Sequence, residues 1–260
     1  MKSIWTGALS FGLINIPVRL YSATRDRALS FKLFDKKANC PVSYVRVCRE
    51  DGKEIPYENI VKGYEYEKGE YVLLQNEDFK SALPEKTDQI EVVQFSDEQE
   101  IDPKYYEKSY YIEPEKKSAK AYILLRDALL KAKKVGIAKF VMRDKQHMAA
   151  VKPNKDFLML TQLRYEDEIL EEADLDISVP EKKKAHSEEE LEIALALIKK
   201  LQKKFEPGKF HDAYAESLLK VIEAKAKGKR IKKSVKSPYS EKTEMKDLMK
   251  LLKKSLNKKP

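Results

Sequence analysis

The chain has few residues of the types that build metal sites and disulfides. It contains two cysteines, Cys40 and Cys48, and three histidines, His147, His186 and His211. The cysteines lack the paired Cys-x-x-Cys spacing of a zinc ribbon, and the histidines lie far apart in the sequence. We therefore expect no metal, no cofactor and free thiols in a reducing compartment.

Long apolar runs are also missing. Residues 3–18 carry no charge, but polar residues and Pro17 interrupt them, and the stretch is too short to span a bilayer. It also lacks a small-residue cleavage site before the arginines that follow, which argues against a secretion signal. The sequence predicts a soluble intracellular protein with no membrane partner.

A catalytic constellation is absent as well. The chain shows no Ser/His/Asp, Cys/His or phosphate-loop pattern and no paired carboxylates in a plausible pocket. Asp51-Gly52-Lys53 and Asp102-Pro103-Lys104 match the Asp-x-Lys part of some metal-dependent nuclease sites, but such triplets arise by chance in a chain that is 37% charged. We predict no catalytic residues and no enzyme, and keep a nuclease as an alternative.

Charge is the feature the chain has in abundance, and it is unevenly distributed. The net charge of +9 equals that of residues 229–260 alone, which hold 12 Lys or Arg against 3 Asp or Glu. Before them the charge alternates in blocks, listed in order as +7 over 1–49, −12 over 50–115, +10 over 116–164 and −5 over 165–228. Two basic blocks that meet in the fold would attract a polyanion, whereas mixed charges alone would merely solvate a surface.

Apolar alternation predicts a β-rich first half. Residues 5–11 and 14–20 alternate around Gly12 as two antiparallel strands, and Pro17 favours an edge position or a bulge. Asp51-Gly52 predicts a hairpin turn. Further strands are predicted at residues 29–34, 42–48, 71–75, 90–95 and 109–112, and in a meander over 135–143, 148–151 and 157–163. In the meander, His147 is expected to be an exposed turn residue.

Helical spacing predicts four helices. One lies between Lys117 and Lys134, and another starts at the capping box of Ser187 and Glu190. A third ends at Gly228 in the manner of a C-cap. Near the C-terminus, five residues form an apolar stripe next to lysines: Met245, Leu248, Met249, Leu252 and Leu256, of which the first four are the docking candidates.

Several segments together resemble the bacterial Ku proteins, which bind DNA ends in non-homologous end joining. They are SIWTGALSFGLINIPVRLYSA, VRVCREDGKEIPYENIVKGYEYEKGEYV, EIDPKYYEKSYYIEPEKKSAKAYILLRDAL, and the run from VGIAKFVMRDKQHM to LTQLRYEDEI. The helical segments EEELEIALALI and FHDAYAESLLKVIEAKAKG fit the same family. Some members carry a cysteine-rich element near residues 40–52, but two cysteines do not justify a metal here.

The resemblance implies an α+β fold centred on a β-barrel. It implies a barrel core with a dimer bridge over residues 1–184, a helical C-terminal arm over 185–228, and a basic linker with a short amphipathic helix over 229–260. It further implies a homodimeric ring that threads onto double-stranded DNA ends in the bacterial cytoplasm, at the nucleoid. Affinity would come from phosphates without base readout.

The candidate DNA contacts are cations of the two basic blocks and of the linker. They are Arg19, Arg25, Lys32, Lys36, Arg46, Lys131, Lys133, Lys134, Lys139, Arg143, Lys145, Lys152, Lys229, Arg230, Lys232 and Lys233. Because neighbouring residues of a strand alternate sides, a good fraction of them must face elsewhere.

The apolar stripe of the tail is the candidate docking site for a protein partner, which the resemblance identifies as the ATP-dependent DNA ligase D. A short exposed helix would not keep such a stripe without a partner. A nucleoid-packaging protein is a second alternative, since it would use the same basic tail. End preference separates the alternatives, because a packaging protein also binds closed circles.

Overall fold

A computed structural model describes residues 2–27, 29–82, 88–175, 177, 186–228 and 248–257. Contacts within the chain divide it into two units, Met1–Leu175 and Asp176–Pro260. In the described part of the chain, none of the helices has the length and apolar character needed to cross a membrane.

The first unit is built on a closed barrel of seven strands. The strands are β1 (Trp5–Phe11), β2 (Ile14–Ser22), β5 (Gln89–Asp97), β6 (Tyr106–Pro114), β7 (Lys134–Met142), β8 (Lys145–Asn154) and β9 (Phe157–Leu163). Their order around the barrel is β1-β2-β6-β9-β8-β7-β5, and a short parallel pairing of β1 with β5 closes the ring. Antiparallel pairing joins all other neighbours.

Alternating apolar residues fill the barrel, as the sequence predicts. On β2, Ile16, Val18 and Leu20 are fully buried while the residues between them are exposed. Pro17 lies in a strand with two neighbours, but pairing with β6 begins only at Val18. Pro17 has no N–H to donate, but its carbonyl accepts from the Glu115 N–H at 2.9 Å, so Pro17 lies at the end of the β2–β6 ladder and not at an open edge.

The predicted helix after residue 117 closes the core. Helix α2 (Ala119–Ala132) buries Tyr122, Leu125 and Leu129 in the same cluster as the inward residues of the strands. It packs against β2, β7 and β8, which lie on different sides of the ring. The helix therefore acts as a plug for the barrel.

The segment between β2 and β5 corrects two predictions. Residues 29–34 and 42–48 do not form strands; they show only the isolated bridges Phe34↔Pro41 and Val47↔Glu54. Their apolar side chains are largely exposed, so alternation here has no core behind it. The turn at Gly52 is confirmed, with a left-handed φ of 69°. A separate hairpin follows, formed by β3 (Lys62–Glu67) and β4 (Glu70–Leu74), and then helix α1 (Asn76–Ser81).

The second unit contains α3 (Glu188–Leu201), α4 (Ala213–Ala226) and α5 (Leu248–Asn257). The predicted capping box is present, because the Ser187 hydroxyl accepts from the Glu190 N–H and the Glu190 carboxylate accepts from the Ser187 N–H. Gly228 follows α4 with a φ of 71°, as a C-cap residue should. Helix α5 packs against α3.

Candidate nucleic-acid interface

A row of cations follows the β7–β8 hairpin on the outside of the barrel. The inward residues of β7 include Ala138 and Phe140, so Lys139 between them points outward and is exposed. The hairpin turn brings Arg143 and Lys145 to one end of the row, with Arg143 and Asp144 both at positive φ. At about 3.3 Å per residue, the whole of β7 is roughly 27 Å long, and the step from Lys139 to Arg143 covers roughly 13 Å of the hairpin.

The other end of the hairpin gathers four more candidates. Lys133 ends α2 in a left-handed conformation with φ 55°, and Lys131 lies in the last turn of the helix. Lys134 then begins β7, and its Nζ lies 2.7 Å from Asp97 Oδ2. Lys152 on β8 pairs with Glu98. Two of these four cations are thus neutralised by carboxylates at the end of β5.

Lys152 also borders a small pocket. Its Nζ lies 5.9 Å from the centre of the Tyr106 ring. The Tyr106 hydroxyl is buried and has no hydrogen-bond partner among the described residues. Burial raises the pKa of Tyr106, and the Glu98 carboxylate raises it further. The Ser109 and Thr161 hydroxyls, 3.1 Å apart, line the same pocket.

The fold does not bring Arg19 to the β7–β8 row. Arg19 lies on the outer face of β2, which is separated from β7 by two strands in one direction and three in the other. Its guanidinium lies 3.7 Å from the Glu115 carboxylate. Arg19 and the β7–β8 row therefore lie on different sides of the barrel.

The remaining candidates of the first block lie in the irregular segment after β2. Arg25, Lys32 and Lys36 are exposed there. Arg46 is exposed too, and its guanidinium lies 5.0 Å from the centre of the Tyr57 ring. This stack holds Arg46 against its own chain.

The candidates in the tail are only partly described. Lys229, Arg230, Lys232, Lys233 and Met245 lie outside the described residues. Leu248 and Met249 are the first residues of α5, and Leu252 is half-buried in the same helix.

The two Asp-x-Lys triplets have a structural explanation. The Asp51 carboxylate accepts from the Lys53 N–H and pairs with its ammonium at 2.9 Å; these contacts lower the pKa of Asp51. The Asp102 carboxylate accepts from the Lys104 N–H at 2.9 Å and caps a short 3₁₀ turn. Each carboxylate therefore stabilises a local turn by accepting a backbone N–H two residues further on. Among the described residues, no group of three or more His, Cys, Asp or Glu side chains is placed to hold a metal.

A large apolar surface is a feature that sequence reasoning missed. The alternation of residues 29–48 had predicted half-buried strands, yet Tyr44 is 86% exposed, Val45 63% and Phe31 62%. More than a dozen large apolar side chains between Phe31 and Leu73 are exposed in this chain by itself. A contiguous stretch of this kind marks an interaction surface.

The closed barrel with a helix packed into its core defines the class of the fold, a β-barrel protein. Comparison with known families gives the class its name, because the model of the Ku70/Ku80 beta-barrel domain matches residues 10–193. The chain belongs to the Ku family.

Similar proteins cover most of the chain. The non-homologous end joining protein Ku of Opitutus terrae is 43% identical over 86% of this chain and 80% of its own length. That of Coxiella burnetii is 39% identical over 99% of this chain and 95% of its own. That of Archaeoglobus fulgidus is 40% identical over 89% and 90%.

Proposed function

We propose that this protein binds the ends of double-stranded DNA in non-homologous end joining, as a homodimer that encircles the duplex. The observation that carries the proposal is the family match, which extends through the whole barrel and continues into the second unit. The name of the relatives, non-homologous end joining protein Ku, indicates the repair process. Binding is independent of base sequence, because the candidate contacts are cations suited to phosphates.

The β7–β8 hairpin is the best candidate for the DNA surface. Lys139, Arg143 and Lys145 lie at the turn end of one strand pair, and Lys134 at its other end extends the cationic face to roughly 27 Å, somewhat less than one turn of duplex DNA, about 34 Å. Lys134 and Lys152 join this surface once phosphates replace the carboxylates that now neutralise them. The apolar segment between Phe31 and Leu73 is the proposed bridge to the second copy.

The protein acts by binding and not by catalysis in this proposal. Asp51 and Asp102 shape turns, so Asp51→Ala and Asp102→Ala variants should hold DNA ends as well as the wild type. Loss of nucleotides from purified protein with a divalent metal, abolished by either substitution, would instead establish a nuclease.

The decisive experiment compares linear with covalently closed DNA of equal length in a gel shift. A ring that loads from ends binds the linear form and leaves the closed circle free. Equal binding of both forms would favour a packaging protein and contradict the proposal.

In this proposal the linker of the C-terminal tail binds DNA, and the short helix after it binds a ligase of the ligase D type. Replacing the linker cations from Lys229 to Lys236 by alanine should lower DNA affinity, with each lost phosphate contact reducing the salt slope by roughly one unit. Leu248→Glu with Leu252→Glu should leave DNA binding intact and abolish stimulation of the ligase. A ligation assay beside a gel shift tests both variants, and full stimulation by the leucine variant would refute the docking assignment.

A further inference from the structure

Helix α5 packs part of its apolar face against α3, another helix of the same chain. Leu252 and Leu256, one helical turn apart, are half-buried. Helix α5 is otherwise rich in lysine, and it packs against α3 in this unit. Two leucines on the apolar face of α5, Leu252 and Leu256, are thus partly covered within the chain itself.

The face of α3 that receives α5 can be read from polar contacts at its two ends. At the start of α3, the Glu189 carboxylate lies 3.2 Å from Lys253 Nζ of α5. Near its end, Lys200 donates from Nζ to the Leu256 carbonyl at 2.5 Å, where a cation also complements the C-terminus of α5. Between them, Ile193 and Leu197 are half-buried on the same side of the helix.

The opposite side of α3 shows that this coverage is local. Leu195 is 54% exposed and Ile198 is 64% exposed, although both are as apolar as the covered residues. Helix α3 therefore has two apolar stripes, of which α5 covers one.

We propose that α3 holds α5 as a latch, and that a partner reaches the apolar face of α5 only by displacing α3. The proposal rests on the docking role given to α5 above and adds the competitor and the chemistry of the partner. To replace α3, a partner must offer an apolar groove bordered by carboxylates, because α3 presents leucine and isoleucine beside Glu189 to a cationic helix. If α5 is packed on α3 in about nine-tenths of the molecules, only about one-tenth can bind the partner, and the apparent affinity for the partner is about tenfold weaker.

Hydrogen exchange of the full-length protein tests the latch without any ligase. Leu197→Glu should speed exchange of the amides of residues 248–257 about tenfold, because the covered face of α3 becomes polar. Leu195→Glu is the matched control, the same substitution on the uncovered face, and should leave these amides unchanged. Equal exchange in the wild type and Leu197→Glu would overturn the latch.

Reversing the charges of the Glu189–Lys253 pair tests how α5 is aligned along α3. Glu189→Lys should also speed exchange of α5, and adding Lys253→Glu should restore protection. Glu188→Lys, one residue earlier and on the other side of the helix, is the control. Failure of the double variant to restore protection would show that the pair of Glu189 and Lys253 does not hold the helices.

Ligase affinity then tests the competition. Purified ligase D should bind Leu197→Glu about tenfold more tightly than the wild type. Faster exchange without tighter binding would overturn the competition. Absence of ligase binding to both proteins would contradict the docking role itself and with it the displacement, while the exchange data still decide whether α3 holds α5.

Discussion

Tyr122 joins α2 to two strands through one hydroxyl group. The hydroxyl donates to the Ile112 carbonyl on β6 at 2.7 Å and accepts from the Leu158 N–H on β9 at 2.6 Å. The residue is 3% exposed, and burial raises the pKa of Tyr122. The plug is thus fixed to the wall by a polar contact inside an apolar core.

Tyr122→Phe should lower the free energy of unfolding by about 1–3 kcal/mol, because it leaves a buried N–H and a buried carbonyl without this partner. The folded-state pKa is raised, so the neutral hydroxyl stabilises the fold fully below about pH 10. That stabilisation is lost as the pH rises through the folded pKa. Urea denaturation at fixed protein concentration should show a difference between variant and wild type that is constant near pH 7–9 and shrinks in stronger alkali.

Tyr214→Phe is the control, since Tyr214 is 75% exposed on α4 and lies outside the proposed bridge. It should unfold like the wild type at every pH. An equal loss in both variants would show that the Tyr122 hydroxyl has no special role.

Gly7 is required by a close approach on β1. A Cβ on Gly7 would lie 2.1 Å from the Asp88 carbonyl oxygen and 2.4 Å from the Trp5 ring. Trp5 cannot easily give way, because its indole N–H donates to the Val141 carbonyl at 2.9 Å. The glycine therefore lets β1 and β5 meet where the barrel closes.

Gly7→Ala should destabilise the protein by about 1–3 kcal/mol, the usual cost of overpacking. Gly208→Ala is the matched control, because a Cβ there meets nothing within 4 Å. Thermal unfolding of both variants checks the prediction, and a wild-type melting temperature for Gly7→Ala would contradict the close approach.

At the scale of elements, the β7–β8 hairpin should set part of the salt dependence of DNA binding. Lys139→Ala with Arg143→Ala should weaken binding to all sequences alike and reduce the salt slope by about two units, one for each lost phosphate contact. Lys117→Ala with Lys120→Ala removes the same charge near the start of α2 and serves as control. Gel shifts at several salt concentrations measure both; identical slopes for the two pairs would place the DNA elsewhere.

Elements with a local signal were predictable. The β1–β2 hairpin, α2, the meander β7–β9 and the capping box of α3 all follow from alternation, helical spacing or turn residues within a short window. Residues 29–48 gave the same alternation without forming strands, because alternation reports apolar side chains but not what covers them. Apolar alternation therefore does not distinguish a surface that a partner covers from a strand that the protein's own core covers.

His147 shows the same limit at one position. It was predicted in a turn, but the turn is Arg143-Asp144, and His147 lies in β8 opposite Phe140. Its ring lies 5.4 Å from the Phe140 ring, and its Nδ1 is 2.9 Å from Gln162 Nε2. The two-residue turn uses Arg143 and Asp144 at positive φ, which sequence alone seldom assigns to arginine.

At the scale of the whole molecule, the exposed apolar segment should control self-association. Leu73→Glu should shift the protein from dimer to monomer, because burying an unpaired carboxylate in an apolar interface is unfavourable. Leu13→Glu is the control, since Leu13 is fully exposed at the tip of the β1–β2 turn. Light scattering at micromolar concentration measures both, and a dimer that persists with Leu73→Glu would move the interface away from β4.

The closing pair of β1 and β5 also dictates when the barrel can form during synthesis. Leu9 must meet Ile90, and the remaining strands follow up to Leu163, so the ring is complete only after most of the first unit has been translated. Until then the apolar face of the β1–β2 hairpin, which leaves the ribosome first, has no opposite wall. Contacts between distant residues form slowly, so the nascent chain exposes this hairpin for the longest time and is the form most in need of a chaperone.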